Sequence, residues 1–184
     1  MKRRNFLQSA ALASTAALMA PSALANSLKR ERISEFGFQS YTVRDVIYKD
    51  MPGTLKRLRK AGFDNMEGFD FGNGKFLGKA VAETKKIIDD SKIKVKSIHI
   101  MTPQMGDNMQ QTIDDAQSVG TEFLVCAFLM PNERQSIDQY QALCEKFNKF
   151  GELSKKAGIQ FAYHNHDFEF QTVDGQVPMD VILK

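Results

Sequence analysis

Short apolar runs alternate with amphipathic stretches along the chain from residue 36 onwards. Short apolar or alternating runs are typical of strands, whereas apolar residues that recur about every 3.6 positions indicate helices. The predicted strands are Phe36–Tyr41, Phe63–Glu67, Lys94–Ile100, Glu122–Phe128 and Ile159–His164. The predicted helices are Thr54–Ala61, Lys79–Asp90, Asn108–Val119 and Ser136–Ala157, and a further helix covers Met179–Lys184. This order predicts an α/β fold with a mainly parallel sheet, because parallel neighbours need long, usually helical, crossovers.

Glycines separate three of the predicted helices from the strands that follow them, at Gly62, Gly120 and Gly158. Glycine is common at this position because the helix often ends in a left-handed residue. The glycine-rich segment Phe69–Gly78 is predicted to be a loop, and Phe168–Val177 a small hairpin that turns at Asp174-Gly175. The spacing of the βα units would also fit a solenoid, but no repeated sequence signature supports one.

The first 25 residues have the pattern of an export signal. Basic residues at Lys2, Arg3 and Arg4 precede an Ala/Leu-rich run, which ends in the small-x-small site Ala23-Leu24-Ala25. The paired arginines resemble a twin-arginine signal, so we expect a periplasmic or otherwise exported protein cleaved after Ala25. A polar segment, 26–35, and one domain, 36–184, follow. The apolar run of about 15 residues is shorter than the ~20 that span a bilayer, so we expect no membrane anchor.

The charge and the cysteine content argue against two classes of protein, nucleic-acid-binding proteins and disulfide-rich scaffolds. The signal segment holds three of the 25 Lys and Arg residues and none of the 22 acidic ones, so the remaining chain is formally neutral. We therefore expect no nucleic-acid partner, because such proteins carry basic patches. Cys126 and Cys144 are too few for a disulfide scaffold. Their apolar surroundings favour buried thiols, although export leaves a disulfide open.

All three histidines fall at the C-terminal ends of predicted strands: His99 at the third, and His164 and His166 at the fifth. Parallel α/β folds bind their ligands at this edge of the sheet. His164 and His166 are two residues apart and therefore point to the same side while the strand persists. Two such imidazoles can bind a divalent metal if carboxylates complete the coordination. The alternative is that they are hydrogen-bonded core residues.

Other polar residues are expected at the same edge. Glu67 ends the second strand and could be a metal ligand, a general base or an acceptor for a substrate hydroxyl, or simply a charge that reaches solvent. Gln39 and Tyr41 share one face of the first strand. Arg44, next to Asp45, could bind a polar substrate or form a local ion pair. Glu169 would reach the same site if its loop folds back.

Several of these segments together resemble the sugar phosphate isomerase/epimerase family, the xylose-isomerase-like TIM barrels. The segments are 38–45 (FQSYTVRD), 61–67 (AGFDNME), Ile98-His99, 157–159 (AGI) and 163–170 (YHNHDFEF). The resemblance covers nearly all of residues 36–184 and is greatest to the exported, twin-arginine branch with a YHNH-type fifth strand. It implies a (β/α)8 barrel with one divalent metal (Mn, Mg, Zn or Co) at the C-terminal mouth, and a carbohydrate substrate.

The resemblance also implies residue roles. His164 stands where the epimerases have a glutamate that binds the metal and moves a proton, so His164 is the expected metal ligand and, with Glu67, the expected catalytic pair. The expected substrate-binding residues are Gln39, Tyr41, Arg44, His99, His166 and Glu169. An isomerase or epimerase would transfer a proton through a metal-bound enediolate. Because imidazole replaces a carboxylate, a lyase, dehydratase or hydrolase acting on a 3-keto glycoside or an inosose is an alternative.

The strand count conflicts with a complete barrel. A TIM barrel has eight βα units and typically ~250 residues, whereas this chain has five predicted strands. The resemblance places the other metal ligands on the three units that are not in this chain. We therefore expect a truncated, incomplete barrel, and the alternative to a metal-dependent enzyme is a non-catalytic, sugar-binding fragment. Its open strand edges would favour self-association.

Overall fold

The computed structural model describes residues 34–184, and the predicted signal peptide lies outside them. Within this range, strands alternate with helices as predicted. The strands are β1 (Phe36–Gln39), β2 (Phe63–Gly68), β3 (Phe71–Gly72), β4 (Lys75–Phe76), β5 (Lys79–Ala80), β6 (Lys94–Ile100), β7 (Phe123–Cys126) and β8 (Gln160–Tyr163). The helices are α1 (Arg44–Ile47), α2 (Met51–Lys60), α3 (Val81–Ser91), α4 (Met109–Val119), α5 (Ile137–Lys156) and α6 (Pro178–Ile182). Short 3-10 turns cover Ser40–Val43, Thr102–Met105, Pro131–Glu133 and Phe168–Phe170.

The main sheet has five strands in the order β1-β2-β6-β7-β8, and every pair is parallel. This confirms the predicted α/β fold. Consecutive helices contact one another, α2 with α3, α3 with α4 and α4 with α5, so they lie on the same face of the sheet. The core between these helices and the sheet contains fully buried side chains from both layers, including Leu55, Met66, Ile98, Ile113, Leu124 and Phe150.

The predicted loop over Phe69–Gly78 was wrong. This segment and the two residues after it form a second, three-stranded antiparallel sheet, β3-β4-β5. Its strands have two residues each, too few to give an alternating pattern, and Asn73 and Leu77 turn the chain with positive φ angles of 53° and 51°. Phe76 and Leu77 anchor this small sheet, because they are 0% and 1% exposed.

The structure also changes the boundaries of several elements. β1 ends at Gln39 rather than Tyr41, because the Gln39 side chain accepts a hydrogen bond from the Tyr41 N–H and starts a 3-10 turn. α2 begins at Met51 rather than Thr54, since Asp50 caps it by accepting from the Gly53 N–H at 2.9 Å. β7 and β8 are shorter than predicted and match at four residue pairs. Of the predicted hairpin, only the bridge between Val173 and Gln176 is present, and Phe168–Phe170 form a 3-10 turn.

Both cysteines are free thiols, Cys126 buried and Cys144 half-buried. Between residues 34 and 184, no helix is both long and apolar enough to cross a membrane.

Candidate functional site

A cavity of about 730 Å³ lies at the C-terminal edge of the main sheet. Five of the residues predicted from the sequence line it: Gln39, Tyr41, His99, His164 and His166. They lie at the C-terminal ends of three strands, β1, β6 and β8, and parallel strands bring their C-terminal ends to one edge. The three histidines therefore lie together at this cavity.

Strand register places a carboxylate next to His99. Gln39 pairs with Glu67 across β1 and β2, and Glu67 pairs with Ser97 across β2 and β6. His99 is two residues after Ser97 and so points to the same face of the sheet. As a result, Nε2 of His99 lies 3.1 Å from Oε1 of Glu67, and Nδ1 of His99 lies 3.3 Å from the amide nitrogen of Gln39.

The Glu67 carboxylate accepts hydrogen bonds at both oxygens. Besides the contact of Oε1 with His99, Oε2 accepts from the Ser97 hydroxyl at 2.6 Å. These bonds, the one from His99 above all, lower the pKa of Glu67 from 4.5 to about 2, against the opposing effect of burial. Glu67 is therefore ionised throughout the neutral range. Glu67 does not itself line the cavity, but it is bonded to His99, which does.

The three imidazoles form one cluster. The rings of His99 and His164 are 5.4 Å apart, and those of His164 and His166 are stacked at 4.8 Å and 8°. Phe168 continues this stack behind His166 at 5.3 Å, and the Arg134 guanidinium covers the Phe168 ring at 3.6 Å. Burial, followed by the neighbouring His166 and His99, lowers the pKa of His164, which favours its neutral form.

Glu169 lies beneath the site rather than in it. Its side chain is 0% exposed, accepts from the backbone N–H of His166 at 2.7 Å and also accepts from the Tyr163 hydroxyl. Burial and this carboxylate raise the pKa of the Tyr163 hydroxyl above its usual value. The loop folds back, but the carboxylate binds the backbone of His166 and does not reach the cavity, where the sequence placed it on that condition.

Arg44 is exposed and contacts Tyr41. Its guanidinium donates to the Tyr41 carbonyl at 3.0 Å and lies 4.3 Å over the Tyr41 ring. Arg44 does not line the cavity, and no ion pair joins it to Asp45 in the part of the chain that the structure describes.

Sequence reasoning missed one wall of the cavity, which is formed by the aromatic side chains of Tyr48 and Phe69 together with Asp70. The Tyr48 hydroxyl donates to Asp70 at 2.7 Å, and burial, with that bond, raises the pKa of Tyr48 to about 12. The Phe69 ring packs edge-on against Tyr41 at 5.2 Å and against Tyr48 at 6.0 Å. Phe69 and Asp70 belong to the segment predicted as a loop. The only signal was the pair of aromatic residues, Phe69 and Phe71, directly after a strand.

The described residues do not form a complete metal site. No group of three or more His, Cys, Asp or Glu residues between 34 and 184 is arranged to hold a metal ion. Glu67 and His99 are bonded to each other, and Glu169 is bonded to Tyr163 and the backbone. Nδ1 of His166 is buried without a hydrogen-bond partner, but a single nitrogen does not make a coordination set.

Comparison with solved structures shows what this architecture is similar to. A sugar phosphate isomerase/epimerase from Parabacteroides distasonis ATCC 8503 matches with a TM-score of 0.72 at 28% identity, over 84% of this chain and 62% of that chain. A xylose isomerase domain-containing protein from Salmonella typhimurium LT2 gives 0.55 at 15% identity, over 73% and 50%. The IOLI protein, which contains a bound zinc atom, gives 0.51 at 10% identity, over 70% and 50%. Neither a protein-family model nor a curated protein matches the sequence.

The chain has the fold of a partial xylose isomerase-like TIM barrel. It spans about three fifths of the sugar phosphate isomerase/epimerase structure and half of the other two. TIM barrels carry their active sites on the loops at the C-terminal ends of the strands. The cavity and the three imidazoles of this partial barrel lie at that end.

Proposed function

We propose that the chain carries proton-transfer chemistry on a small carbohydrate, of the isomerase/epimerase type. The observation that carries this proposal is the His164 imidazole. It lines the cavity, and its ring forms no hydrogen bond with another described residue. The similarity in fold and sequence to a sugar phosphate isomerase/epimerase supports a carbohydrate as the substrate.

In the proposed reaction, His164 accepts the proton from the carbon next to the substrate carbonyl. If the hydroxyl proton moves between the two oxygens and His164 returns its proton to the former carbonyl carbon, an isomer forms. If an acid on the opposite side, such as water, protonates the original carbon on its other face, an epimer forms and His164 later releases its proton to solvent. The walls of the cavity supply polar groups from Gln39 and Tyr41 to orient the hydroxyls, and the rings of Tyr48 and Phe69 shield the site from water. Glu67, the second predicted catalytic residue, would act through His99, to which it is bonded.

As the alternative to its role as the base, we propose that His164 is one ligand of a divalent metal in the functional protein, because the single free lone pair of a neutral imidazole cannot bind a metal and accept a proton at once. The support for this metal is the zinc found in the IOLI protein structure together with the shared fold. Because the described residues do not complete a site, no step of the reaction is derived through a metal.

A second candidate reaction is elimination or hydrolysis on a 3-keto glycoside or an inosose. It is favoured by the imidazole at the end of the fifth parallel strand, where the resembling epimerases have a carboxylate. A neutral imidazole that takes a proton next to a ketone leaves a negative charge, which can expel a group on the following carbon. The two reactions share their first step and differ in what leaves.

Incubation in D2O tests both reactions. We would supply a ketohexose or a 3-keto glucoside, with Mn, Mg, Zn or Co, and follow deuterium uptake by NMR and release of the aglycone by chromatography. Deuterium that is incorporated into an epimer or an isomer, without release of the aglycone, supports the first reaction. Release of the aglycone supports the second. His164→Ala should abolish either signal, whereas Asn165→Ala, an exposed neighbour, should retain it. No uptake with any metal would contradict catalysis and favour a sugar-binding fragment.

Export is a separate proposal that rests on residues 1–25. Replacing Arg3 and Arg4 by lysine should leave the uncleaved precursor in the cytoplasm, because twin-arginine signals need the arginine pair. Lys2→Arg is the matched control and should not change periplasmic fractionation. Export of the double-lysine variant at the original level would contradict the proposal.

A further inference from the structure

A continuous chain of hydrogen bonds runs from the backbone of residue 41 to Ser97. The Tyr41 N–H donates to Oε1 of Gln39 at 2.6 Å. The amide nitrogen of Gln39 lies 3.3 Å from Nδ1 of His99, and Nε2 of His99 lies 3.1 Å from Oε1 of Glu67. The Ser97 hydroxyl closes the chain by donating to Oε2 of Glu67.

The direction of the first bond decides the direction of all the others. A backbone N–H can only donate, so the oxygen of the Gln39 amide must face Tyr41 and its nitrogen must face His99. The amide nitrogen also can only donate, so Nδ1 of His99 must be an acceptor and carry no proton. The proton of the neutral imidazole is then on Nε2, where the Glu67 carboxylate accepts it.

The opposite tautomer would leave two contacts unsatisfied. Two N–H groups would meet between Gln39 and His99, and the bare Nε2 would face the carboxylate oxygen of Glu67. A cationic imidazole would restore the bond to Glu67 but would still oppose the amide nitrogen. Only the neutral Nε2–H form matches a donor to an acceptor at every position.

We propose that Gln39 is a positioning residue that fixes His99 as the neutral tautomer with its proton on Nε2. Both ring nitrogens of His99 are thereby occupied, and the ring is held rigidly at the cavity wall, where its side chain is 16% exposed. His164 is then the neighbouring imidazole whose nitrogens are left for a ligand. This inference concerns hydrogen bonding in the protein itself and stands whether or not the proposed reaction occurs.

Nitrogen NMR reads the tautomer directly. The chain has only three histidines, so protein labelled with 15N-histidine gives few signals, and single substitutions of His164 and His166 assign those of His99. At about pH 7, we expect Nδ1 of His99 to be unprotonated and Nε2 protonated. A protonated Nδ1 in the unaltered protein would overturn the proposal.

The variant Gln39→Glu isolates the role of the amide nitrogen. A glutamate keeps an oxygen for the Tyr41 N–H, so it preserves the turn, but presents a second oxygen instead of a donor to His99. We expect Nδ1 of His99 to become protonated, which gives an imidazolium between two carboxylates. If Nδ1 stays bare, the role of Gln39 is limited to the turn and the proposal fails.

Gln104→Glu is the matched control. Gln104 lines the same cavity, and its Oε1 accepts from the Met101 N–H at 2.9 Å, just as Gln39 accepts from a backbone N–H. The variant adds the same charge to the cavity without a bond to His99, so Nδ1 should remain unprotonated. In Glu67→Gln, the bond from Gln39 should by itself keep Nδ1 unprotonated. Protonation of Nδ1 in either variant would contradict the proposal.

Discussion

At the scale of single residues, Glu67 is set apart by having both carboxylate oxygens hydrogen-bonded. Its bonds to His99 and Ser97 stabilise the ionised form and bring its pKa to about 2. A carboxylate with so low a pKa holds a proton poorly at neutral pH, which disfavours it as a general base. Its structural effect is to anchor His99 at the wall of the cavity.

The lowered pKa of Glu67 makes stability depend on pH. Because the folded-state pKa, about 2, lies below the ordinary 4.5, the stabilisation is present above 4.5 and is lost as the pH falls towards 2. Between neutral and acid pH, we expect the free energy of unfolding of Glu67→Gln to fall by about 1–2 kcal/mol less than that of the unaltered protein. This value allows for the partial exposure of Glu67. Urea unfolding between neutral pH and pH 2 measures it.

Glu83→Gln serves as its control, since Glu83, on α3, forms an exposed ion pair with Lys79 of β5. That variant should retain the pH dependence of the unaltered protein. Identical pH profiles for Glu67→Gln and the unaltered protein would show that the two bonds at Glu67 do not stabilise its charge.

The two thiols differ in exposure and therefore in expected reactivity. Cys126 is 0% exposed, and burial raises its pKa to about 12, while Cys144 is half-buried. Alkylation requires the thiolate, so native protein at about pH 8 should be modified more slowly at Cys126 than at Cys144. Mass spectrometry of the peptides measures both rates, and denatured protein, in which both sites react, is the control. Equal native rates would contradict the burial of Cys126.

At the scale of elements, the small antiparallel sheet β3-β4-β5 depends on close contact with β2. An added Cβ at Gly68, the last residue of β2, would lie 2.5 Å from Cζ of Phe76, which is fully buried in β4. Thr84, at the start of α3, also binds this segment by donating to the Phe76 carbonyl at 2.7 Å. The segment that carries Phe69 and Asp70 to the cavity is therefore held in place by packing.

Gly68→Ala should destabilise the fold by about 1–3 kcal/mol, because the ring of Phe76 must move out of a filled core. Gly151→Ala is the matched control, since its Cβ would meet the nearest atom, in Phe161, at an ordinary 3.6 Å. Because alanine is favoured over glycine in the interior of a helix such as α5, Gly151→Ala should stabilise the fold by up to about 1 kcal/mol. Denaturant unfolding of both variants gives the two free energies, and equal values would contradict the contact between Gly68 and Phe76.

At the scale of the whole molecule, the main sheet has two open edges within the described residues, β1 and β8. A groove of about 880 Å³ runs beside β8 and is lined by Phe161, Ile182 and Leu183, of which Leu183 is 72% exposed. Unpaired backbone next to exposed apolar side chains favours pairing with another chain.

We expect the protein to self-associate as its concentration rises, and Leu183→Lys to weaken this association at the β8 edge. Val46→Lys is the control, because Val46 is 44% exposed on α1 and does not line the groove. Sedimentation velocity over a concentration series measures the mass. A monomer at every concentration, or an equal effect of both lysines, would contradict association through this edge.

Local patterns in the sequence predicted most of the helices and strands. Lys94–Ile100 was predicted at its observed boundaries, and α4 and α5 each differ from prediction by one residue at their ends. These elements are long and strongly periodic, so their apolar positions indicate them without tertiary information. β3, β4 and β5 have two residues each, and a pairing that short leaves no periodic signal.

The sequence by itself determined the order of the strands and helices, and hence that the three histidines meet at one edge of a parallel sheet. It could not determine which atoms bond there. Gln39 and His99 are 60 residues apart, and Ser97 and Glu67 are 30 apart, so their contacts depend on strand register. The burial of Glu169 beneath His166 likewise needed the folded loop. Local periodicity reports only what lies a few residues away, and only the tertiary structure brings these distant groups into contact.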